Sequence, residues 1–126
     1  MYFQELKQLR EANLKLSDAI TRLDEYLASL TGNARSNITV STVSSAIGQP
    51  RDRVLGLLMA ASELGLLKLR YRVLCPDDHG VQVFDRLQDV PPTIHCGACD
   101  ETRAVTPDDV EYFFALTEKA ASVRCA

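Results

Sequence analysis

The feature that most restricts this fold is a pair of short segments rich in cysteine and histidine, CPDDHG at positions 75–80 and HCGAC at positions 95–99. Three residues separate Cys75 from His79, and two separate Cys96 from Cys99. Zn²⁺ prefers four thiolate or imidazole ligands at the corners of a tetrahedron, and these spacings let one turn offer two of them. We therefore expect the fold to bring both turns together around one structural zinc ion.

The identity of the ligands leaves alternatives open. His95 is a rival to His79 for the fourth position, although its neighbour Cys96 makes simultaneous use awkward. CGAC also resembles a redox dithiol motif, but that chemistry requires its first cysteine at a helix N-terminus. A third interpretation is a set of buried thiols with two surface histidines. Four ligands would close the metal's coordination shell to a reacting water, so we predict no catalytic residues and no enzymatic activity.

The first thirty residues contain no Pro or Gly, and their apolar residues recur at heptad spacing. The two columns are Leu9, Leu16, Leu23 and Leu30, and Leu6, Asn13, Ile20 and Leu27. We predict one helix over 1–31 with a coiled-coil-like seam that contains Leu9, Leu16 and Ile20, and a homodimer formed through it. An amphipathic helix that packs on its own domain is the alternative.

Residues 36–74 carry start and stop signals for two helices and a strand. A short helix is predicted to end before Gly48, and a longer one to begin with Pro50 in its first turn and to end at Gly65. Its inward residues are expected to be Val54, Leu58 and Ala61. Apolar and basic residues then alternate over 67–73, which predicts a strand, and 81–87 supplies a partner strand.

This pattern resembles a winged helix-turn-helix. Residues 75–106, with short strands predicted on both sides of the CGAC turn, resemble a zinc ribbon in which His79 replaces a cysteine. The order of the two parts is similar to that in the general transcription factor TFIIE-alpha and its archaeal relative TFE. That resemblance implies a winged helix that docks onto transcription machinery and DNA. A last helix over 107–126, capped by Thr106, completes an expected α+β chain.

The outward residues of the longer helix separate two classes of function. A helix that reads the major groove needs Arg, Lys, Asn or Gln on this face, whereas the outward set here is Arg51, Asp52, Leu55, Gly56, Met59 and Ala60. We therefore expect a protein-docking face at Leu55, Met59 and Ala60. The function that we favour is that of a non-enzymatic, zinc-binding adaptor that acts through protein contacts, as a dimer or within a larger complex. The alternative is a dimeric DNA-binding regulator that uses the basic wing strand, with nucleic-acid contacts from Arg51, Lys68, Arg70 and Arg72.

Overall charge and hydropathy bear on the partners. The formal net charge of −3 disfavours nucleic acid as a partner. No apolar run approaches the roughly 20 residues that a membrane span needs, and the N-terminal segment is charged where a signal peptide is apolar. These features predict a cytoplasmic chain with no membrane partner, and in a reducing cytosol cysteines serve as ligands or free thiols.

Overall fold

The structure, a computed structural model, describes residues 2–74, 80–96 and 101–121. It divides into two units, Met1–Lys68 with Phe114–Ala126 and Leu69–Phe113. Helices and strands both contribute, which confirms the α+β class, while the winged-helix and zinc-ribbon assignments stay predictions. The elements are α1 (Gln4–Ala12), α2 (Ser17–Ser29), α3 (Val40–Ile47), α4 (Arg51–Glu63), β1 (Leu67–Leu74), β2 (Gly80–Phe84), β3 (Thr93–Cys96), β4 (Glu101–Ala104), β5 (Val110–Leu116) and α5 (Glu118–Ala121).

The prediction of a single helix over 1–31 is wrong, because the α-helix stops at Asn13 and a short 3-10 helix, Leu14–Leu16, leads into α2. The side-chain amide of Asn13 donates to the carbonyl of Leu9 at 3.0 Å, which stabilises the break. α2 then packs against α1, and the guanidinium of Arg10 donates a hydrogen bond to the hydroxyl oxygen of Thr21 at 3.2 Å. The hairpin buries the apolar residues Phe3, Leu6, Ile20, Leu23 and Leu27 inside the chain. The heptad seam is therefore interrupted, and Ile20 is a core residue.

A buried carboxylate fixes the start of this hairpin. Asp24 on α2 is only 1% exposed. Its two oxygens accept hydrogen bonds from the backbone N–H groups of Tyr2 at 2.9 Å and Phe3 at 2.8 Å. Phe3 is the N-cap of α1 and has no side-chain cap of its own. Asp24 thus supplies, from another helix, acceptors for donors at the N-terminus of α1.

The helix-turn-helix segment follows its local sequence signals. The Thr39 hydroxyl caps α3 by accepting a hydrogen bond from the N–H of Thr42 at 3.2 Å. Gly48 ends α3 at a φ of 68°, in the left-handed region that favours glycine, and Gly65 lies at 85° beyond α4. The predicted inward residues of α4, listed together as Val54, Leu58 and Ala61, are fully buried.

The predicted strand pair after α4 is also present. β1 pairs antiparallel with β2, with Tyr71 opposite Phe84 and Leu74 opposite Gly80. β3 and β4 form a second antiparallel pair, with Thr93 opposite Ala104. The sequence pattern therefore identified β1 with its partner β2, although β2 ends at Phe84 and not at 87, and it placed short strands where β3 and β4 lie.

The predicted C-terminal helix over 107–126 is wrong for most of its described length. Thr106 and Asp109 do form a capping box, but it caps only a single 3-10 turn, Pro107–Asp109. The chain then continues as β5, which lies beside β1 in a sheet of order β2-β1-β5. Phe114 pairs with Ile38 through a two-way backbone bridge of 2.7 and 2.8 Å. Among the described residues beyond β5, only Glu118–Ala121 is helical.

Candidate docking surface and metal ligands

The outward surface of α4 is largely apolar, as the sequence predicts. Leu55 and Met59 are one helical turn apart and form one row, and Gly56 and Ala60 form the adjacent row. Met59 is 40% exposed, while Leu55 and Ala60 are half-buried. A Cβ atom added at Gly56 would meet nothing within 4 Å, so this row is open to an incoming side chain.

A groove of about 510 Å³ runs along the Gly56 and Ala60 side of this helix. We call it the α4 groove, and its lining residues are Leu9, Asn13, Leu16, Ile20, Asp52, Arg53, Gly56, Leu57 and Ala60. Three residues assigned from the sequence to a dimer seam, Leu9, Leu16 and Ile20, therefore lie beside Ala60 of the predicted docking face. Ile20 contributes from the core with no exposed surface of its own. The predicted dimer seam therefore meets one edge of the predicted docking face, at Ala60, in the α4 groove.

Sequence reasoning missed Leu14, which lies beside the α4 groove. It is 77% exposed, and it lines a second depression that shares Asn13, Leu16 and Arg53 with the groove. Leu14 falls outside both heptad columns, so the periodicity of the sequence gave it no role. Its exposure results from the break at Asn13, which no Pro or Gly announces.

Charged residues lie along both depressions. Glu11 and Lys15 line the depression that contains Leu14, Asp52 lines the α4 groove, and Arg53 lines both. All four are exposed, and Arg53 donates a hydrogen bond to the side chain of Gln49 at 2.9 Å. The Leu14 depression and the α4 groove thus each carry acidic and basic residues.

The basic residues proposed for nucleic-acid contact are largely engaged. Arg70 pairs with Asp85 at 3.0 Å, and Arg72 pairs with Glu111 at 2.9 Å. The guanidinium of Arg72 also lies 5.0 Å from the ring centre of Phe113. Arg51 and Lys68 are exposed, and Arg51 donates to the hydroxyl of Ser41 at 3.3 Å. A phosphate would have to compete with carboxylates for both wing arginines.

Most of the predicted zinc ligands lie outside the described residues, namely Cys75, His79 and Cys99, and only the backbone of Cys96 is described. The segments that contain them are nevertheless bounded by paired strands. Leu74 pairs with Gly80 across 75–79, and Cys96 pairs with Glu101 across 97–100. The assignment of these residues as zinc ligands therefore stays a prediction.

The rival ligand His95 is described and exposed. Its Nδ1 atom lies 3.0 Å from the hydroxyl oxygen of Thr102, the residue opposite it in β4. Within residues 2–74, 80–96 and 101–121, no three side chains of His, Cys, Asp or Glu form a group that could hold a metal ion. Thr102 is thus a hydrogen-bond partner of His95, and the choice between His95 and His79 as the fourth ligand stays open.

The second unit contains a separate apolar cleft of about 560 Å³. Tyr71 of β1 and Tyr112 of β5 contribute to it, together with Pro91 and Leu87 from the segment between β2 and β3. Leu87 is 57% exposed and lies in a three-residue 3-10 helix. No sequence pattern pointed to this cleft, because its lining comes from four separate segments.

Comparison with protein-family models, with curated proteins and with solved structures found no match for this chain. Among the described residues, no helix is both long enough and apolar enough to cross a membrane. Conclusions about function therefore depend on the surfaces described above.

Proposed function

We propose that the chain is a non-enzymatic winged-helix adaptor that binds a protein partner in the cytoplasm through the outward surface of α4. The observation that supports this most is the composition of that surface, where exposed Met59 and half-buried Leu55 form one apolar row and Ala60, in the adjacent row, lines the α4 groove. Burial of exposed apolar area stabilises protein association, whereas these side chains offer nothing to the edges of DNA bases.

The charges of the wing support the same proposal over a DNA-binding regulator. Arg70 and Arg72 are held by Asp85 and Glu111, which places one negative charge beside each positive one. Nonspecific DNA affinity comes from several unneutralised cations that displace counterions from phosphates. Exposed ion pairs contribute little to stability, about 0–1 kcal/mol each, but they do cancel charge at the surface.

Structural zinc is part of the proposal. Cys75, His79, Cys96 and Cys99 would hold the ion, and the spacing of these residues in the sequence fits that donor set. When bound, the ion would join the β1–β2 hairpin to the shorter β3–β4 hairpin, whose strands have only four residues each. Such a site contributes to folding and leaves the docking chemistry to α4.

The test compares the parent with a Met59→Glu variant. Each tagged chain is expressed in its native cells, and co-purifying proteins are quantified by mass spectrometry. A charge at the centre of an apolar contact must be desolvated, so we expect the variant to lose the proteins that the parent retains. Val83→Glu, at an exposed apolar position on β2, is the matched control and should retain them.

DNA binding by the purified chain is the measurement that can contradict the adaptor proposal. Fluorescence anisotropy with a mixed-sequence duplex at physiological salt should show affinity no tighter than the about 10⁻⁴–10⁻⁶ M typical of nonspecific binding. Nanomolar, sequence-selective binding that is lost in both Arg51→Ala and Met59→Glu would contradict the adaptor proposal and favour the regulator.

A further inference from the structure

Leu14 is the most exposed large apolar side chain among the described residues of the first unit. It projects from the 3-10 helix between α1 and α2, and it shares wall residues with the α4 groove. A protruding apolar side chain beside an apolar groove is an arrangement that can complement itself. In a two-fold symmetric dimer, each copy can place its projection in the groove of the other.

The charges around these two features are also complementary. Glu11 and Lys15 line the depression that contains Leu14, while Asp52 and Arg53 line the α4 groove. When Leu14 enters the groove of a second copy, the pairing that joins opposite charges sets Glu11 beside Arg53 and Lys15 beside Asp52 of that copy. None of Glu11, Lys15 and Asp52 forms an ion pair with another described residue. Because Glu11 and Lys15 carry one charge of each sign, as do Asp52 and Arg53, these four residues add no net charge to the contact, although each copy carries a net charge of −3.

We infer that the α4 groove is a homodimer interface whose occupant is Leu14 of a second copy. The inference rests on the proposed function, because it takes this side of α4 as a protein-binding surface. The partner at this surface is a second copy of the same chain. It replaces the interrupted coiled-coil seam, because Ile20 is buried within the chain and only the half-buried Leu9 and Leu16 remain to line the groove. The Met59 row stays available to a different protein.

Analytical ultracentrifugation of the purified full chain from about 1 to 300 μM tests the inference, because small interfaces have affinities in this range. We expect the parent to dimerise and Leu14→Glu to stay monomeric. Two leucines are buried per dimer, so the loss amounts to at least about 100-fold in the dissociation constant. Leu87→Glu is the matched control, because Leu87 is also an exposed leucine in a three-residue 3-10 helix, and it should dimerise like the parent.

A charge exchange tests the orientation of the two copies. Glu11→Arg and Arg53→Glu should each weaken the dimer about 3- to 30-fold, since each places like charges together at two symmetric positions. The double variant restores opposite charges and should return the affinity to within about 3-fold of the parent. Both positions are exposed, and circular dichroism confirms that each variant is folded.

Three results would overturn the inference. The first is a parent that is still monomeric at about 300 μM, the highest concentration tested. The second is a Leu14→Glu variant that dimerises like the parent. The third is a double charge variant whose dimer is no tighter than the dimers of the single variants. These measurements use the isolated chain, whereas the adaptor test follows other proteins captured through Met59. A monomeric parent that still loses its partners on Met59→Glu would therefore remove the dimer and leave the adaptor.

Discussion

Replacing Asp24 by alanine should destabilise the chain more than any other single change to a charged residue among those described. Asp24 is the only charged side chain there that is buried, at 1% exposure. Its oxygens accept the N–H groups of Tyr2 and Phe3 at 2.9 and 2.8 Å. The substitution removes both acceptor oxygens, so the buried N–H group of Phe3 loses its acceptor and the N–H group of Tyr2 loses one acceptor at the N-terminus of α1.

The size of the effect depends on what water can replace. The N–H group of Phe3 is in a buried hydrogen bond, and that of Tyr2 is in a partly buried one. A hydrogen bond to a charged group contributes about 1.5–3 kcal/mol, and a buried unpaired donor costs about 1–3 kcal/mol. Counting Phe3 in full and Tyr2 in part, we expect Asp24→Ala to lower the free energy of unfolding by about 2–4 kcal/mol. This is a large part of the 5–15 kcal/mol typical of a domain.

Urea unfolding followed by circular dichroism measures this change, provided that the slope against urea concentration stays constant. Asp18→Ala is the control on the same helix. The Asp18 side chain is 75% exposed, and its ion pair with Arg22 spans 3.2 Å at the surface. Its loss should cost no more than about 0.5 kcal/mol.

Amide hydrogen exchange locates the effect. Asp24→Ala should reduce protection in α1 first, because nine residues of isolated helix are only marginally stable without the tie to α2. If Asp24→Ala and Asp18→Ala unfold at the same urea concentration, and α1 keeps its protection, then the buried carboxylate is not what holds the N-terminus. The reasoning would then be refuted.

Three further predictions concern the metal, the backbone and a tyrosine. Elemental analysis should find one zinc per chain, retained in His95→Ala and lost in His79→Ala, whereas a chain without stoichiometric zinc would contradict the site. Gly48→Ala should lower the free energy of unfolding by about 1 kcal/mol, because a φ of 68° is strained for alanine. Gly56→Ala, on the open surface of a helix, should raise the free energy of unfolding by about 0.5–1 kcal/mol. Equal effects of the two substitutions in urea unfolding would argue against this reasoning. Burial raises the pKa of Tyr26 above 10.0, so the folded state disfavours the tyrosinate form. The contribution of Tyr26 to stability is therefore fully present below pH 10.0 and is lost as the pH rises through the pKa of the folded state. Ultraviolet titration of the parent against Tyr26→Phe should show that the missing group has a pKa above 10.0, and a normal pKa for it would oppose the burial argument.

The sequence by itself determined those elements whose signals are local. Gly48 and Gly65 mark the C-terminal ends of α3 and α4, and the structure follows them, because left-handed glycines act within a few residues of backbone. Pro50, predicted in the first turn of α4, is instead its N-cap and lies one residue before the helix begins at Arg51. The face of α4 that points outward was equally predictable, since helical periodicity alone decides which side of a helix is buried once Val54 and Leu58 are inward.

The candidate site was predictable only in part. The sequence identified Leu55, Met59 and Ala60 as one surface and Leu9 and Leu16 as another, and in the structure Ala60 lines the α4 groove together with Leu9 and Leu16. That union depends on the break at Asn13, which the composition does not mark. A helix that continues and a helix that folds back bury the same apolar residues, so local pattern cannot distinguish them.

Only the tertiary structure decided the conformation of Val110–Leu116. The capping box of Thr106 and Asp109 is a true helix signal, yet it is satisfied by a single 3-10 turn. Beyond that turn, β1 offers backbone partners about forty residues back along the chain, and Ile38 offers another about seventy-five residues back. In the resulting strand Phe113, Phe114 and Ala115 are all buried. Strand formation depends on such partners far more than helix formation does, because the hydrogen bonds of a helix are local and those of a sheet are not.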